Sequence, residues 1–529
     1  MSPDNHSPRR PGAHRRPLFA VLAAWLAAAC AAPTPPVAEN AVPFPEPAAR
    51  EVFESAYASI SEKYLEVVSP ASFAVEGMRG LGAIDPGLAV NRTGDTLTLL
   101  AADKVLARFP APADGDVKGW AALTVSVSAA GRRTSRELSA ASPEAIYEAV
   151  FDGALSKLDI FSRYAGAEEA KRNRAKRDGF GGIGISYRIS DAKAVVTRVL
   201  PKTPAARAGM KRNDVITHVG AVPVSGLDKY GITAQIRGPV SSQVEITVRR
   251  KPSTEALRFT MIREHIVPDT VTYGSEDGVI FLKVSGFNQK TASSVEANIE
   301  KAKKAYADRL KGFVLDLRGN PGGLLKQSIK IVDLFLAQGK IVSTRGRHPD
   351  SLQFYLASGA DKAGGLPLVV LVDGKSASAS EVIAAALQDR GRAVVIGTSS
   401  YGKGSVQTVI HLPNSGEITL TWSRLLAPSG YVFHGLGVFP SICTSGVEGN
   451  AFGLIEESLA KKEAIAAVLA AWRKTGVGDE EERRRLRTSC PAQKRRHPVE
   501  IEVARRLIAN KAFFARALGI SSATATAQF

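Results

Sequence analysis

The chain has 529 residues, of which 44% are hydrophobic and 23% charged, with a formal net charge of +18 and three cysteines. That length holds two to four domains and a sizeable core. An ordinary globular composition excludes wholesale disorder, while the positive balance fits nucleic acid, an anionic membrane or acidic substrates.

The N-terminus narrows that choice. Arg9, Arg10, Arg15 and Arg16 precede an uncharged run from Leu18 to Ala29, then small residues, then prolines. This layout predicts an export signal over 1–31, too short in its apolar part to span a bilayer. Cys30 offers a lipid acceptor, which would attach the chain to a membrane. The usual leucine three residues earlier is Ala27 here, and simple cleavage near Ala31 is the alternative. Export places the protein in a bacterial periplasm or envelope and argues against nucleic acid as a partner. The other two cysteines, Cys443 and Cys490, either pair in an oxidising compartment or stay as buried thiols. No His-x-x-x-His or Cys-x-x-Cys spacing suggests a metal.

Residues 32–47, rich in Pro and Ala, read as a linker. Phe53, Tyr57, Ile60 and Tyr64 have helical spacing over 49–65. A segment at about 66–140 reads as an insertion that is partly β. In it Leu123, Val125 and Val127 alternate with Thr124, Ser126 and Ser128, a strand pattern. Ser142-Pro143-Glu144 starts a helix whose Tyr147, Phe151, Leu155 and Leu158 share a face. Residues 167–178 read as a charged, solvated connector that closes an N-terminal region spanning 48–178.

Residues 179–264 consist of short strands and Gly/Pro turns, with one short helix in "SGLDKYGITAQIRG". From 278 to 425 strands alternate with helices predicted at 290–310, 323–337 and 379–389, which implies βαβ units and a largely parallel, mixed sheet within a 265–447 core. The region 448–529 reads as helical, and its run "DEEERRRLR" as a solvated face.

The chemistry gathers where three of these strands end. "LPLVVLVD" leads to Ser376, Ser378 and Ser380, "AVVIG" leads to Lys403 between two glycines, and "GFVLDL" leads to "RGNPGG". Read separately, Ser378-x-x-Glu381 is a capping box and Lys403 a hairpin-tip lysine. In right-handed βαβ units, however, all three loops lie at one sheet edge, where open α/β sheets carry their sites. A serine needs a base, and a lysine becomes one when burial lowers its pKa. The N–H of Ala379 and one from Gly322 or Gly323 could face an oxyanion. Ser, Lys and two N–H groups make an acyl-transfer site.

These motifs, "GKSASASEVIAAALQDRGRAVVIGTSSYGKGSVQ" and "GFVLDLRGNPGGLL", together with the 179–264 module, resemble the carboxyl-terminal processing peptidases, or tail-specific proteases. The resemblance covers about 142–440. It implies a mixed α/β, ClpP/crotonase-like protease core with an inserted PDZ domain and helical N- and C-terminal regions. It implies Ser378 as nucleophile, Lys403 as base, Gln407 orienting the lysine, Gly323 and Ala379 as oxyanion donors, and neither metal nor organic cofactor. The module resembles a PDZ domain, which binds a peptide's free C-terminus by β-augmentation. Gly182, Ile183, Gly184 and Ile185 would hold the carboxylate and start the pairing, with Ile232 and Ile236 lining a pocket. In this family the module recognises the substrate's tail and can gate the site. The expected partners are protein tails, with an envelope adaptor or activator docking on the 66–140 or C-terminal region. Ser441 stands where the family has an acidic residue. The alternative readings are a non-catalytic envelope adaptor on a peptidase-like core, or a carrier of apolar ligands. Either would be expected to lack an intact Ser–Lys pair.

Overall fold

The computed structural model describes residues 42–522 apart from 254, 448 and 449. The expected export signal, most of the expected 32–47 linker and Cys30 lie outside the described residues. Three hydrophobic cores organise the chain.

The first core is N-terminal. Helices α1 (Glu46–Lys63) and α2 (Pro70–Arg79) precede an antiparallel meander, β1 (Leu88–Thr93), β2 (Thr96–Ala101) and β3 (Lys104–Pro110). Helices α3 (Val117–Thr134), α4 (Arg136–Ala140) and α5 (Pro143–Ser156), the short strand β4 (Arg163–Ala165) and helix α6 (Ala167–Arg177) follow. The strand expected at 123–128 is therefore helix. Its alternation is accidental, because α3 is buried almost all round, on Trp120, Ala121, Leu123, Thr124, Val125, Val127 and Ser128. The buried hydroxyls of Thr124 and Ser128 donate to the carbonyls of Trp120 and Thr124 one turn back, so they cost the helix little. The β content of the 66–140 segment lies instead at 88–110. The expected connector at 167–178 is mostly helix, and it is docked: Arg174 and Arg177 bind buried Glu417 at 2.9 and 3.0 Å.

The second core is the PDZ-like module. Strands β5 (Phe180–Gly182), β6 (Ile185–Ser190) and β7 (Lys193–Val199), helix α7 (Pro204–Arg207), strands β8 (Val215–Val219) and β9 (Val222–Pro223), helix α8 (Lys229–Ile236), and strands β10 (Gln243–Arg249), β11 (Ala256–Ile262) and β12 (Glu264–Ile266) make it up. The main sheet has the order β11-β10-β8-β7-β6, and β5 pairs β12 in a separate two-stranded sheet.

The third core contains β13 (Val271–Glu276), β14 (Val279–Val284), α9 (Thr291–Tyr306), β15 (Gly312–Asp316), α10 (Leu325–Asp333), β16 (Gly339–Arg345), β17 (Gln353–Ala357), β18 (Leu368–Val372), α11 (Ala379–Asp389), β19 (Val394–Gly397), β20 (Ser405–His411), β21 (Glu417–Leu426) and β22 (Ile442–Cys443). The sheet runs β13-β14-β15-β18-β19-β22, with β14 through β22 parallel. Both faces of this sheet are covered, so β15, β18 and β19 are buried at every position and are nearly all apolar, with Asp316 at the end of β15 the one charged residue among them. A second sheet, β17-β16-β21-β20, takes β4 of the N-terminal region as an added strand on β21.

Helices α12 (Ala451–Ala460), α13 (Lys462–Lys474), α14 (Glu480–Arg487), α15 (Val499–Ala509) and α16 (Lys511–Ser522) pack on the same core. The charge run of α14 is not wholly solvated, since Arg483 and Leu486 are buried. Cys443 and Cys490 are joined in a disulfide.

Candidate active site

The parallel order brings the ends of β15, β18 and β19 to one edge of the sheet, as the βαβ reading requires. The serine turn is built from the loop beside it. Ser376 Oγ donates to the Leu317 carbonyl at 2.9 Å and Ser380 Oγ to the Asn320 carbonyl at 3.0 Å. The Ala377 N–H also donates to the Asn320 carbonyl. Ser376 and Ser380 are thus fully buried and engaged, and the middle residue, Ser378, is partly exposed. Ser378 adopts φ 57°, ψ −113° at the start of α11. A non-glycine residue with positive φ costs about 1–2 kcal/mol and is held only by its surroundings.

The glycine loop presses on this turn. A Cβ on Gly322 would lie 3.0 Å from Ser378 Cβ and 3.3 Å from the Ala379 nitrogen. Gly323, at φ 148°, would place a Cβ 2.3 Å from the Phe287 carbonyl oxygen, so no other residue fits there without movement. Gly323 is exposed, and neither its N–H nor that of Ala379, at the first position of α11, has a protein acceptor among the described residues. Two unengaged donors therefore flank Ser378.

One carboxylate joins the two sides of the site. Glu381 is fully buried. Its Oε2 accepts from the Ser378 N–H at 2.6 Å and the Lys403 N–H at 3.0 Å, while Oε1 accepts from the Gly402 N–H at 2.6 Å and Ser400 Oγ at 2.5 Å. Burial raises its pKa, and these four donors oppose the shift. The sequence signalled Glu381 only as a helix cap.

Lys403 is half-buried. Its Nζ lies 4.7 Å from the centre of the Phe161 ring. Burial lowers its pKa first, and the positive charge of Arg163 adds to that, against the opposing charges of Asp159 and Glu381. Gly404 beside it lies against His434, where a Cβ would come within 2.1 Å of the backbone nitrogen. Gln407 Nε2 donates to Ser405 Oγ at 2.9 Å and Thr421 Oγ1 at 3.3 Å, not to Lys403. Thr421 Oγ1 donates in turn to Asp159. Asp159 also accepts the N–H groups of Phe161 and Ser162 and the hydroxyl of Ser162, which shapes the segment that carries Phe161. Neither Asp159 nor Phe161 stood out in the sequence. They come from the N-terminal region and reach Lys403 through β4.

In the PDZ-like module, a groove of about 210 Å³ lies between β6 and α8. Ile183, Gly184, Ile185, Tyr187, Lys229 and Ile236 are among its lining residues. The N–H groups of Ile183 and Gly184 have no protein acceptor among the described residues. Two expected groove residues sit elsewhere. Gly182 pairs with Glu264 in β5–β12, and Ile232 is buried in the module's core. The face of α8 that meets the groove is Lys229, Thr233 and Ile236, at four- and three-residue spacing. Tyr187 Oη crosses to α8, 2.8 Å from the Lys229 carbonyl and 2.6 Å from Thr233 Oγ1. Among the described residues no cluster of three or more His, Cys, Asp or Glu could hold a metal.

Residues 278–444 match the family described as Peptidase family S41, and residues 195–250 match a PDZ domain. The chain is 40% identical over 299 residues to the "Carboxy-terminal-processing protease" of Bartonella bacilliformis, covering 56% of this chain and 69% of that protein. It is 32% identical over 304 residues to a "Probable CtpA-like serine protease" of Staphylococcus aureus, covering 57% of this chain and 60% of that one. Among solved structures, it is similar to a photosystem II D1 C-terminal processing protease at 22% identity and a TM-score of 0.38, over 75% of this chain and 92% of that chain. On its matched segments and the Bartonella relative, the chain belongs to peptidase family S41 and carries a PDZ domain.

Proposed function

We propose that this protein is an exported serine endopeptidase that recognises the C-terminal tails of its protein substrates through the PDZ domain and cuts them with a Ser378–Lys403 dyad. The observation that carries the reading is the shared carboxylate. Glu381 holds the backbone of the one partly exposed serine of its turn and the backbone of the half-buried lysine on the same oxygen.

In this mechanism Ser378 Oγ attacks the scissile carbonyl as the neutral amine of Lys403 takes its proton. The N–H groups of Gly323 and Ala379 hold the oxyanion. The intermediate collapses, the peptide C–N bond breaks, and the Lys403 ammonium gives its proton to the leaving amine. Water, deprotonated by Lys403, then hydrolyses the ester on Ser378 and restores the enzyme. Gln407 acts through Thr421 and Asp159 on the wall beside Lys403. Ile183, Gly184 and Ile185 receive the tail's carboxylate and pair with its backbone, with Ile236 beneath the last side chain.

The test is cleavage of an unstructured protein with an apolar C-terminal tail, followed by mass spectrometry, for wild type, Ser378→Ala and Lys403→Ala. Cleavage by wild type alone, with both variants folded, supports the dyad. Cleavage surviving in Ser378→Ala overturns it. Tail binding without cleavage by any of the three would favour the adaptor reading. Gating by the PDZ domain would fail if deleting 179–264 from a protein that still folds left short-peptide cleavage unchanged. Recovery of the mature chain from a periplasmic extract tests export.

A further inference from the structure

The C-terminal helical region reaches all three loops of the site from behind. Arg496 donates to the Arg318 carbonyl at 2.9 Å, beside the glycine loop. The Gln493 carbonyl accepts from Gly374 at 2.8 Å, and its N–H donates to Thr398 Oγ1 at 3.1 Å. Arg487 makes the most direct contact. Its guanidinium donates to the Ser400 carbonyl at 3.1 Å and to the Leu436 carbonyl. Ser400 is the residue whose hydroxyl donates to Glu381, and that hydroxyl also accepts the Val438 N–H at 2.7 Å. Three residues after Arg487, the Cys443–Cys490 disulfide ties this segment to the last strand of the sheet.

We propose that Arg487 is a positioning residue for the dyad, delivered by the disulfide-anchored C-terminal region. It fixes the 400–403 turn, so that Glu381 receives Ser400, Gly402 and Lys403 together and holds Lys403 toward Ser378. The inference rests on the Ser378–Lys403 reading for its catalytic consequence, though not for its structural one. A guanidinium suits the task because its planar fork spans two carbonyls with fixed geometry, which an ammonium cannot do. Burial lowers the pKa of Arg487, and the charge of Glu381 opposes that shift.

The experiment compares wild type, Ser378→Ala, Arg487→Ala and Arg487→Lys in steady-state cleavage of an unstructured substrate. It adds amide hydrogen exchange of each protein without substrate. Arg487→Ala is expected to lower kcat at least tenfold with KM changed less than threefold. Added guanidinium ion at tens of millimolar should restore several-fold of the loss by filling the vacated space. Arg487→Lys should fall between the two. Exchange at the Gly402 and Lys403 amides should rise at least tenfold in Arg487→Ala while the amides within α11 stay protected. Unchanged kcat, a loss carried by KM alone, or unchanged exchange at 402 and 403 overturns the proposal. If Arg487→Ala does not fold, Arg487→Lys decides by the same two readouts. Cleavage by Ser378→Ala instead overturns the dyad, and the exchange result then still judges Arg487 on its own.

Discussion

Gly323→Ala tests the oxyanion side of the site at a position where the structure sets the size of the effect. The added Cβ would lie 2.3 Å from the Phe287 carbonyl oxygen and 2.8 Å from its nitrogen, both backbone atoms that no rotamer change can move away. The backbone on both sides is bonded to the same residue, Phe287 N–H to the Gly322 carbonyl at 3.2 Å and Leu324 N–H to the Phe287 carbonyl at 2.9 Å. Relief of the clash sacrifices these two bonds, at about 1 kcal/mol each. A positive φ on alanine adds about 1–2 kcal/mol. A local cost of about 3–4 kcal/mol is enough to swing the 319–324 loop away without unfolding a core this large. In the proposed mechanism the Gly323 N–H then no longer faces the reacting carbonyl. Loss of one such donor costs about 100- to 1,000-fold in kcat. The assay is steady-state cleavage with circular dichroism and a thermal melt as controls. A folded Gly323→Ala protein that keeps kcat within threefold of wild type would refute the assignment of Gly323.

Other consequences can be measured in the same preparation. Burial lowers the pKa of Lys403, and in the proposed mechanism the base is its neutral form, so kcat/KM should rise with pH through a limb centred below the usual lysine value of about 10.4. Arg163→Glu, which replaces a lowering charge with a raising one, should move that limb to higher pH at low salt, and an unmoved limb contradicts the assignment. Burial raises the pKa of Glu417 but its bonds to Arg177 and Arg174 outweigh this, for a net lowering. The stability it contributes should therefore be present above about pH 4.3 and be lost as pH falls through its lowered pKa. Glu417→Gln should abolish that dependence at a cost of about 1–3 kcal/mol, read by denaturant unfolding across pH. The disulfide closes a separation of 47 residues. Replacing both Cys443 and Cys490 by Ala should cost up to about 4 kcal/mol, and an unchanged denaturation midpoint contradicts a stabilising role.

Much of the fold was readable from sequence, and the proposed site lies at the ends of its parallel strands. β18 and β19 carry no charged or polar side chain and β15 is apolar up to Asp316, and their order along the chain indicates which loops share an edge. The serine turn and Lys403 follow from that order. What stayed hidden depends on burial direction and on long-range pairing. The α3 helix alternates like a strand because nearly every side of it is covered. Ile232 and Ile236 lie one turn apart on α8 and both belong to the module's core, yet only Ile236 is among the groove-lining residues, a difference that helical spacing cannot supply. Phe161 and Asp159 reach Lys403 from more than 200 residues upstream, through a three-residue strand that pairs with β21. The run "DEEERRRLR" reads as solvated from its charge, and its buried Arg483 and half-buried Arg487 are visible only once their carbonyl partners at 400 and 432–436 are in place.

The central claim is that Ser378 carries the acyl group during turnover. Acid-quenched samples taken in the first turnovers of a peptide ester, digested and mapped by mass spectrometry, test it directly. If Ser378 is the nucleophile, an acyl adduct forms on it and decays at catalytically competent rates, and it is missing in Lys403→Ala. An adduct on Ser376 or Ser380, or turnover with no adduct on this turn, would contradict it.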